Sequence, residues 1–350
     1  MKNIFRIFLV IVLIPVSYLV IIILFGTITN YKPEPIENIS RIEGDFYLED
    51  TGKVYTAAIW NIGYAGLGAN MDFFYDGGEK VRDTKENVRT NLNYITQWVR
   101  IIDTIDFILL QEVDEKSKRS YRMNQLEEIN LSMAQHFPFF AYNYNVKMVP
   151  LPFLRPMGKV KSGLLSLTMH VPQQTDRYSF PGNYSWPKST FMLDRFFLVN
   201  RFKLMNGKEF VLVNTHNSAY DDGSLRAEQM GYLKIFLNEE QKNGNYVLVG
   251  GDWNQCPPSF KDNFTGHVFD TSNVSYVPEN YLDNSWQWIY DNSEPTNRRV
   301  MTPYTKGKCP VTLIDFFLAS GNIEVLNCQT VPMNFKFSDH QPVVISFRFK

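Results

Sequence analysis

A series of short apolar runs, each ending on a residue that can do chemistry, limits what this chain can fold into more than any other feature. Residues 54–60 run into Asn61, 107–110 into Gln111 and Glu112, 210–213 into Asn214 and His216, and 246–249 into Asp252 and Asn254. Ser338, Asp339 and His340 stand just before a last apolar run, 342–349. Runs of this length, bounded by polar and turn residues, read as buried strands. A strand bonded into a sheet holds the group at its tip rigidly, so one end of the core is predicted to be a preorganised site.

Between the runs the pattern changes period. Asp83, Thr84, Lys85 and Glu86 make a capping-box-like start for a helix to about Ile102, with Val88, Leu92, Ile95, Val99 and Ile102 at helical spacing. Residues 122–136 and 225–240 read as two further helices, and 164–169, 195–204 and 312–318 as further strands. Helices that recur among more numerous strands favour two packed sheets flanked by helices. From Val54 onward there is no linker, repeat or low-complexity tract, so residues 54–350 are expected to be one domain.

The N-terminus carries a different signal. Residues 7–25 are apolar apart from Pro15 and Ser17 and show no polar face, and they follow Lys2 and Arg6. That length spans a bilayer as a helix. A cleaved signal peptide is the alternative, but its apolar region usually runs about 7–15 residues and ends in a small-x-small site, which Gly26-Thr27-Ile28 supplies poorly. Residues 1–30 are therefore expected to be an uncleaved anchor, with the rest of the chain on the non-cytoplasmic side or secreted if the anchor is cut. Residues 31–53, with Pro33, Pro35 and mixed charge, read as a tether.

The candidate site residues form a coherent set. Glu112, Asp339 and the amide oxygen of Asn61 are hard oxygen ligands, suited to Mg2+ or Mn2+ and not to zinc or copper. Two histidines, two more aspartates and an asparagine remain to activate water and hold the oxygens of a pentacovalent phosphorus. No Gly-x-Ser-x-Gly elbow, phosphate-loop lysine motif or dinucleotide fingerprint points to other chemistry. Cys256, Cys309 and Cys328 match no zinc spacing and read as buried or idle thiols.

These blocks resemble the endonuclease/exonuclease/phosphatase superfamily, which contains deoxyribonuclease I, abasic-site nucleases, inositol polyphosphate 5-phosphatases and neutral sphingomyelinases. The resemblance runs from about Val54 to Phe349, in order through Trp60-Asn61-Ile62, Leu110-Gln111-Glu112-Val113, Ser162-Gly163-Leu164-Leu165-Ser166, Asn214-Thr215-His216, Gly250-Gly251-Asp252-Trp253-Asn254, Leu313-Ile314-Asp315-Phe316-Phe317 and Phe337-Ser338-Asp339-His340-Gln341-Pro342-Val343. It implies a four-layered α/β/β/α sandwich of the deoxyribonuclease I type. It also implies a metal site at Asn61 and Glu112 with Asp339 as a further metal contact, Asp252 acting on the attacking water, Asn254 and His216 on the phosphate oxygens, and Asp315 orienting His340.

Loops set substrate choice on such a scaffold. Residues 64–78 are rich in Gly, Phe and Tyr, and 146–160 place Leu151, Phe153 and Leu154 beside Arg155 and Lys159, with Lys161 following; Arg155 and Lys159 are taken as substrate contacts. A net charge of −1 gives no global excess of basic residues for nucleic acid. The favoured reading is a metal-dependent phosphoesterase acting on a phosphate ester, lipid-linked in preference to nucleic acid. The alternatives are an anchored or secreted nuclease, whose groove would draw on Arg195, Arg201, Lys203, Arg298 and Arg299, and a catalytically inactive anchored binding protein.

Overall fold

The computed structural model describes residues 2–102, 104–219, 223–272 and 274–350. One sheet is built from β3 (Tyr55–Asn61), β4 (Phe107–Asp114), β5 (Phe137–Val149), β6 (Gly158–Thr168), β16 (Ile323–Thr330) and β17 (Val343–Phe349), in the order β16-β17-β3-β4-β6-β5. A second contains β1 (Ile36–Arg41), β2 (Tyr47–Leu48), β7 (Gln174–Ser179), β8 (Phe196–Leu204), β9 (Glu209–His216), β10 (Tyr246–Asp252), β12 (Gln287–Ile289) and β15 (Asp315–Ala319). Its order is β1-β7-β8-β9-β10-β15-β12, with β2 beside β8. A small ribbon of β11 (Val268–Phe269), β13 (Asn297–Arg298) and β14 (Pro310–Thr312) completes the strands.

The two large sheets meet over an aromatic core in which Tyr55, Phe107, Phe202, Phe210 and Phe347 pack with Ile59, Leu109, Leu248 and Phe317. Helices α2 (Lys85–Ile101) and α3 (Gln125–Ser132) cover the outer face of the six-stranded sheet, placing Val88, Leu92, Ile95 and Ile129 against Trp60, Ile108 and Leu110. Helix α4 (Ser224–Lys242) covers the other sheet through Met230, Leu233 and Leu237. The result is the expected four-layered α/β/β/α sandwich. The predicted cap of α2 is made by Thr84, whose hydroxyl accepts from the Asn87 N–H at 3.1 Å.

Three expectations need correction. The helix predicted over 122–136 is only Gln125–Ser132, because Tyr121 and Arg122 sit in the left-handed region and turn the chain before it can start. The strand predicted over 312–318 is two strands, since the Thr296 hydroxyl takes the N–H groups of both Ile314 and Asp315 at 3.0 Å and interrupts the ladder. Two stretches of the tether predicted over 31–53, Ile36–Arg41 and Tyr47–Leu48, join the second sheet. β1 pairs antiparallel with β7, Asn38 Nδ2 donates to Asp176 Oδ1 at 2.8 Å, and Glu37 stands 3.7 Å from the buried guanidinium of Arg177.

Helix α1 (Lys2–Ile28) contains one segment, Ile11–Ile28, long and apolar enough to cross a membrane, with mean hydropathy 2.7. Its last turns lie against the domain: Tyr18 meets Phe153 edge-on at 5.3 Å, Ile22 is buried, and Trp186 Nε1 donates to Thr27 Oγ1 at 3.0 Å. Gly26 admits the Phe191 ring, which would lie 2.6 Å from any Cβ placed there. The three thiols are free, with Cys256 and Cys309 buried.

The pairing of β1 predicts a difference between two truncations. A chain beginning at residue 53 is expected to be less stable than one beginning at residue 31 by several kcal/mol, from a handful of hydrogen bonds at about 0.5–1.5 kcal/mol each. Urea unfolding of both measures it; equal midpoints and slopes would restore the tether.

Candidate active site

Strand register builds the first part of the site. In the parallel pair β9–β10, His216 lies opposite Asp252, and in the antiparallel pair β10–β15, Asp252 lies opposite Asp315. Three strand tips thus bring their functional residues into one row. Gly251 permits the approach, with φ 148° and a position where a Cβ would stand 2.0 Å from the Thr215 carbonyl oxygen. From the facing sheet, Asn61 ends β3 beside Gln111 of β4. Glu112 follows with φ 58° where β4 slips register against β6. Such a bulge re-aims a side chain, here into the cleft. Asp339 and His340 arrive on the turn before β17.

Hydrogen bonds lock the row. Asn61 Nδ2 donates to Asp252 Oδ2 at 2.9 Å while its own oxygen accepts the Gly63 N–H at 3.0 Å. The Asn254 N–H donates to Asp252 Oδ1 at 2.9 Å, and Asn254 Nδ2 to the Asn217 carbonyl at 2.9 Å. His216 Nε2 lies 3.3 Å from Asp252 Oδ2. His340 is held by Asp315, whose Oδ2 is 2.8 Å from Nδ1, so Nε2 faces Asp252 at 3.7 Å and Asp339 at 4.0 Å. Two atoms in this array, His216 Nδ1 and Asp315 Oδ1, are buried without a hydrogen-bond partner among the described residues.

The electrostatics separate the two imidazoles. Burial, with Arg195, His340 and Arg119 nearby, pushes His216 well below the usual imidazole range. Burial also opposes the charged form of His340, yet Asp315, Asp339 and Asp252 together hold it well above that range. Burial raises Asp315 to about 6 against the pull of His340. It raises Asp339 to about 7, with His340 opposing and the Glu112 charge adding to the rise. One neutral and one proton-bearing imidazole therefore flank Asp252.

The residues fit a hard divalent cation. Glu112 and Asp339 open into the same cleft; burial is the main reason Asp339 is raised, with Glu112 adding to the rise, and a cation beside the two carboxylates would offset both costs. Asp252, Asp315 and His340 also offer donor atoms within 4.8 Å of one another. The Asp315–His340 hydrogen bond already engages that group, which suits proton handling better than ligation.

Asn61, Glu112, His216, Asp252, Asn254, Asp339 and His340 all line one cleft of about 1100 Å³, with Asp315 behind His340. Arg155 and Lys159 do not: Arg155, on the turn between β5 and β6, and Lys159, near the start of β6, are both exposed and stand outside the cleft lining. Lys161 is paired with Glu115.

Residues that the sequence did not single out also line the cleft. Arg119 stacks on Tyr64, with its guanidinium carbon 3.6 Å from the ring centre, pairs with Asp114 at 2.9 Å and reaches within 3.9 Å of Glu112. The Asn297 side-chain amide lies 3.0 Å from His340 Nε2. Arg119 comes from a turn and Asn297 from the two-residue strand β13, and no periodicity marks either. Of the basic residues proposed for a nucleic-acid groove, Arg195, Arg298 and Arg299 line the cleft. Arg298 is buried and donates to the Leu67, Gly68 and Met71 carbonyls, while Arg201 is occupied by Glu209 and Glu240.

A four-layered sandwich with this row at one end defines a class of phosphate-ester hydrolases and nucleases. The chain matches the Endonuclease/Exonuclease/phosphatase family over residues 58–340 and belongs to it. Members of that family are metal-dependent phosphodiesterases and nucleases. No curated protein matches the chain. Among solved structures, an endonuclease/exonuclease/phosphatase from Beutenbergia cavernae DSM 12333 is similar at 16% identity and TM-score 0.59, over 85% of this chain and 72% of that one. One from Bacteroides vulgatus follows at 15% and 0.54, over 85% and 100%. D. rerio TDP2 complexed with single-strand DNA product gives 11% and 0.55, also over 85% and 100%. At these identities the likeness is one of fold.

Asp252→Asn and His340→Ala are each expected to lower turnover by a factor on the order of 10²–10⁴ while the domain stays folded. Asp315→Asn should be milder unless it fixes the wrong imidazole tautomer. Steady-state rates beside thermal melts check this; wild-type turnover in either of the first two variants would remove the row from the chemistry.

Proposed function

We propose that this chain is a divalent-metal-dependent phosphoesterase, anchored by α1, that hydrolyses a lipid-linked phosphate ester by attack of an activated water. The observation that carries the reaction is Asp252, held by Asn61 and Asn254 between His216 and the Asp315–His340 pair. Asp252 orients the water and takes its proton as the water oxygen bonds to phosphorus. His340 donates from Nε2 to a phosphoryl oxygen, its Nδ1 fixed by Asp315. The Asn254 side chain and His216 hold the remaining oxygens, and the bond to the leaving oxygen breaks as that oxygen takes a proton from solvent water, to which Asp252 returns the one it accepted. Glu112 and Asp339, with the free lone pair of the Asn61 oxygen, would hold Mg2+ or Mn2+. Such an ion supplies neutralisation of the phosphoryl charge.

Three features support a lipid-linked substrate. The cleft is lined by apolar residues as well as by the row. Leu151, Phe153 and Leu154 are exposed on the adjacent turn. Helix α1 would keep the domain at a bilayer, with Lys2 and Arg6 holding its start in the cytoplasm and the catalytic domain on the other side. D. rerio TDP2 is described with single-strand DNA. A nucleic-acid reading gains little here, because Arg201 and Arg298 are spent on internal partners and leave the basic residues short of a continuous groove.

Activity is expected to vanish in excess chelator and return with magnesium or manganese, and Glu112→Gln should raise the metal concentration needed for half-maximal rate by about tenfold or more. Full activity of chelated, metal-free protein would overturn the metal assignment. Phe153→Ser with Leu154→Ser should reduce hydrolysis of phospholipid vesicles selectively over a soluble phosphodiester. Strong cleavage of DNA with no lipid turnover would favour the nuclease.

A further inference from the structure

The cleft that holds the row has a second, apolar arm, and one wall of that arm is the N-terminal helix. Leu19 and Ile23 of α1 line it, together with Leu151 of the β5–β6 turn and Phe191, Met192 and Leu193 of the segment before β8. Helical geometry explains the arrangement. Tyr18, Ile22 and Gly26 recur every fourth residue and seat α1 on the domain, so Leu19 and Ile23, one position further round, border the cleft. Ile21, Leu24 and Phe25 are exposed on the rest of the helix.

The depth of this arm follows from its neighbours. Trp186 is 63% exposed and bonded to Thr27, and an exposed tryptophan beside the end of an apolar helix marks the membrane–water interface. At 1.5 Å per residue, Ile23 lies about 6 Å and Leu19 about 12 Å further along the helix, toward the hydrocarbon. Phe153 and Leu154, exposed by 58% and 89%, sit on the turn that meets Tyr18 and reach the same level. The arm thus opens at hydrocarbon depth, and its other end is polar, with Glu112, Asp252, Arg195 and His340. A soluble phosphate ester would leave these apolar walls facing water, whereas a hydrocarbon tail would cover them.

Resting on the anchored phosphoesterase reading above, we infer that α1 is a wall of the substrate site as well as an anchor. The substrate is a bilayer lipid bearing a phosphate ester. It enters sideways between α1 and the β5–β6 turn, keeps its tail against Leu19, Ile23, Leu151 and residues 191–193, and presents its phosphate to the row.

The test uses the full chain in vesicles of phosphatidylcholine, phosphatidylethanolamine and phosphatidylglycerol, containing a trace of phospholipid with a diazirine in its acyl chain. Lipid turnover is compared with turnover of bis(p-nitrophenyl) phosphate. Leu19→Trp with Ile23→Trp keeps the helix apolar but fills the arm, and is expected to lower the lipid-to-soluble ratio by about tenfold or more, the scale on which hydrophobic pockets discriminate. Ile21→Trp with Leu24→Trp, on the outward face, should keep the wild-type ratio. Photolabel is expected on the peptide carrying residues 191–193 in the wild type and to be lost in the Leu19/Ile23 variant. An unchanged ratio, label confined to the outward face of α1, or cleavage of the soluble ester with none of the lipids would overturn the inference and leave a phosphoesterase standing. Hydrolysis of neither substrate with metal supplied would overturn the phosphoesterase itself, and the inference with it.

Discussion

The shared register of β9, β10 and β15 is the constraint on which the rest of the site depends. Side chains alternate faces along a strand, so a slip of one residue in either pairing would turn His216 or Asp315 away from Asp252. Packing on both sides of the sheet opposes that slip. Toward the centre, Phe317 and Leu248 interlock with Ile59 and Leu109 of the facing sheet. On the outside, Trp253 lies flat on Phe316 at 5.0 Å, and its indole N–H donates to the Phe316 carbonyl at 3.1 Å. The residues on either side of Trp253 are Asp252 and Asn254, so this one indole fixes two neighbours that line the cleft.

The facing six-stranded sheet adds what this one lacks. It delivers Asn61 and Glu112 from adjacent parallel strands, and the Asn61 amide bridges the layers to Asp252. Charge then follows from burial. With little water to screen them, the carboxylates around His340 keep a proton on it, while His216, facing Arg195 and Arg119, loses its own. Identical side chains about a single aspartate are pushed in opposite directions, His216 chiefly by burial and His340 by the carboxylates around it, the arrangement expected where acid and base roles are divided.

Much of this was legible in the sequence because strand tips are local: an apolar run followed by Asn, Glu, His or Asp announces both the strand and its cargo. The layers were legible for the same reason, since α2 and α4 carry clear helical periodicity or length. What escaped was set by distant partners. β1 reads as a tether because its residues alternate weakly and its stability comes from β7, more than a hundred positions away. β5 passes unnoticed because Phe, Tyr and Asn share its positions without a clean apolar face. Arg119 owes its place to Tyr64, Asp114 and Glu112, brought together only by the fold, and charge beside apolar residues does not reveal that Arg155 and Lys159 stand outside the cleft lining.

Helix α1 is joined to the domain by packing as well as by the chain, through Tyr18, Ile22, Gly26 and the Thr27–Trp186 bond. In the proposed setting the domain then has a fixed height and tilt over the bilayer and cannot swing toward solutes. Its encounter problem is two-dimensional. Velocity would follow the mole fraction of substrate in the surface instead of its bulk concentration, inert lipid or detergent would act as a diluent, and the kinetic order would be that of lateral diffusion within one leaflet.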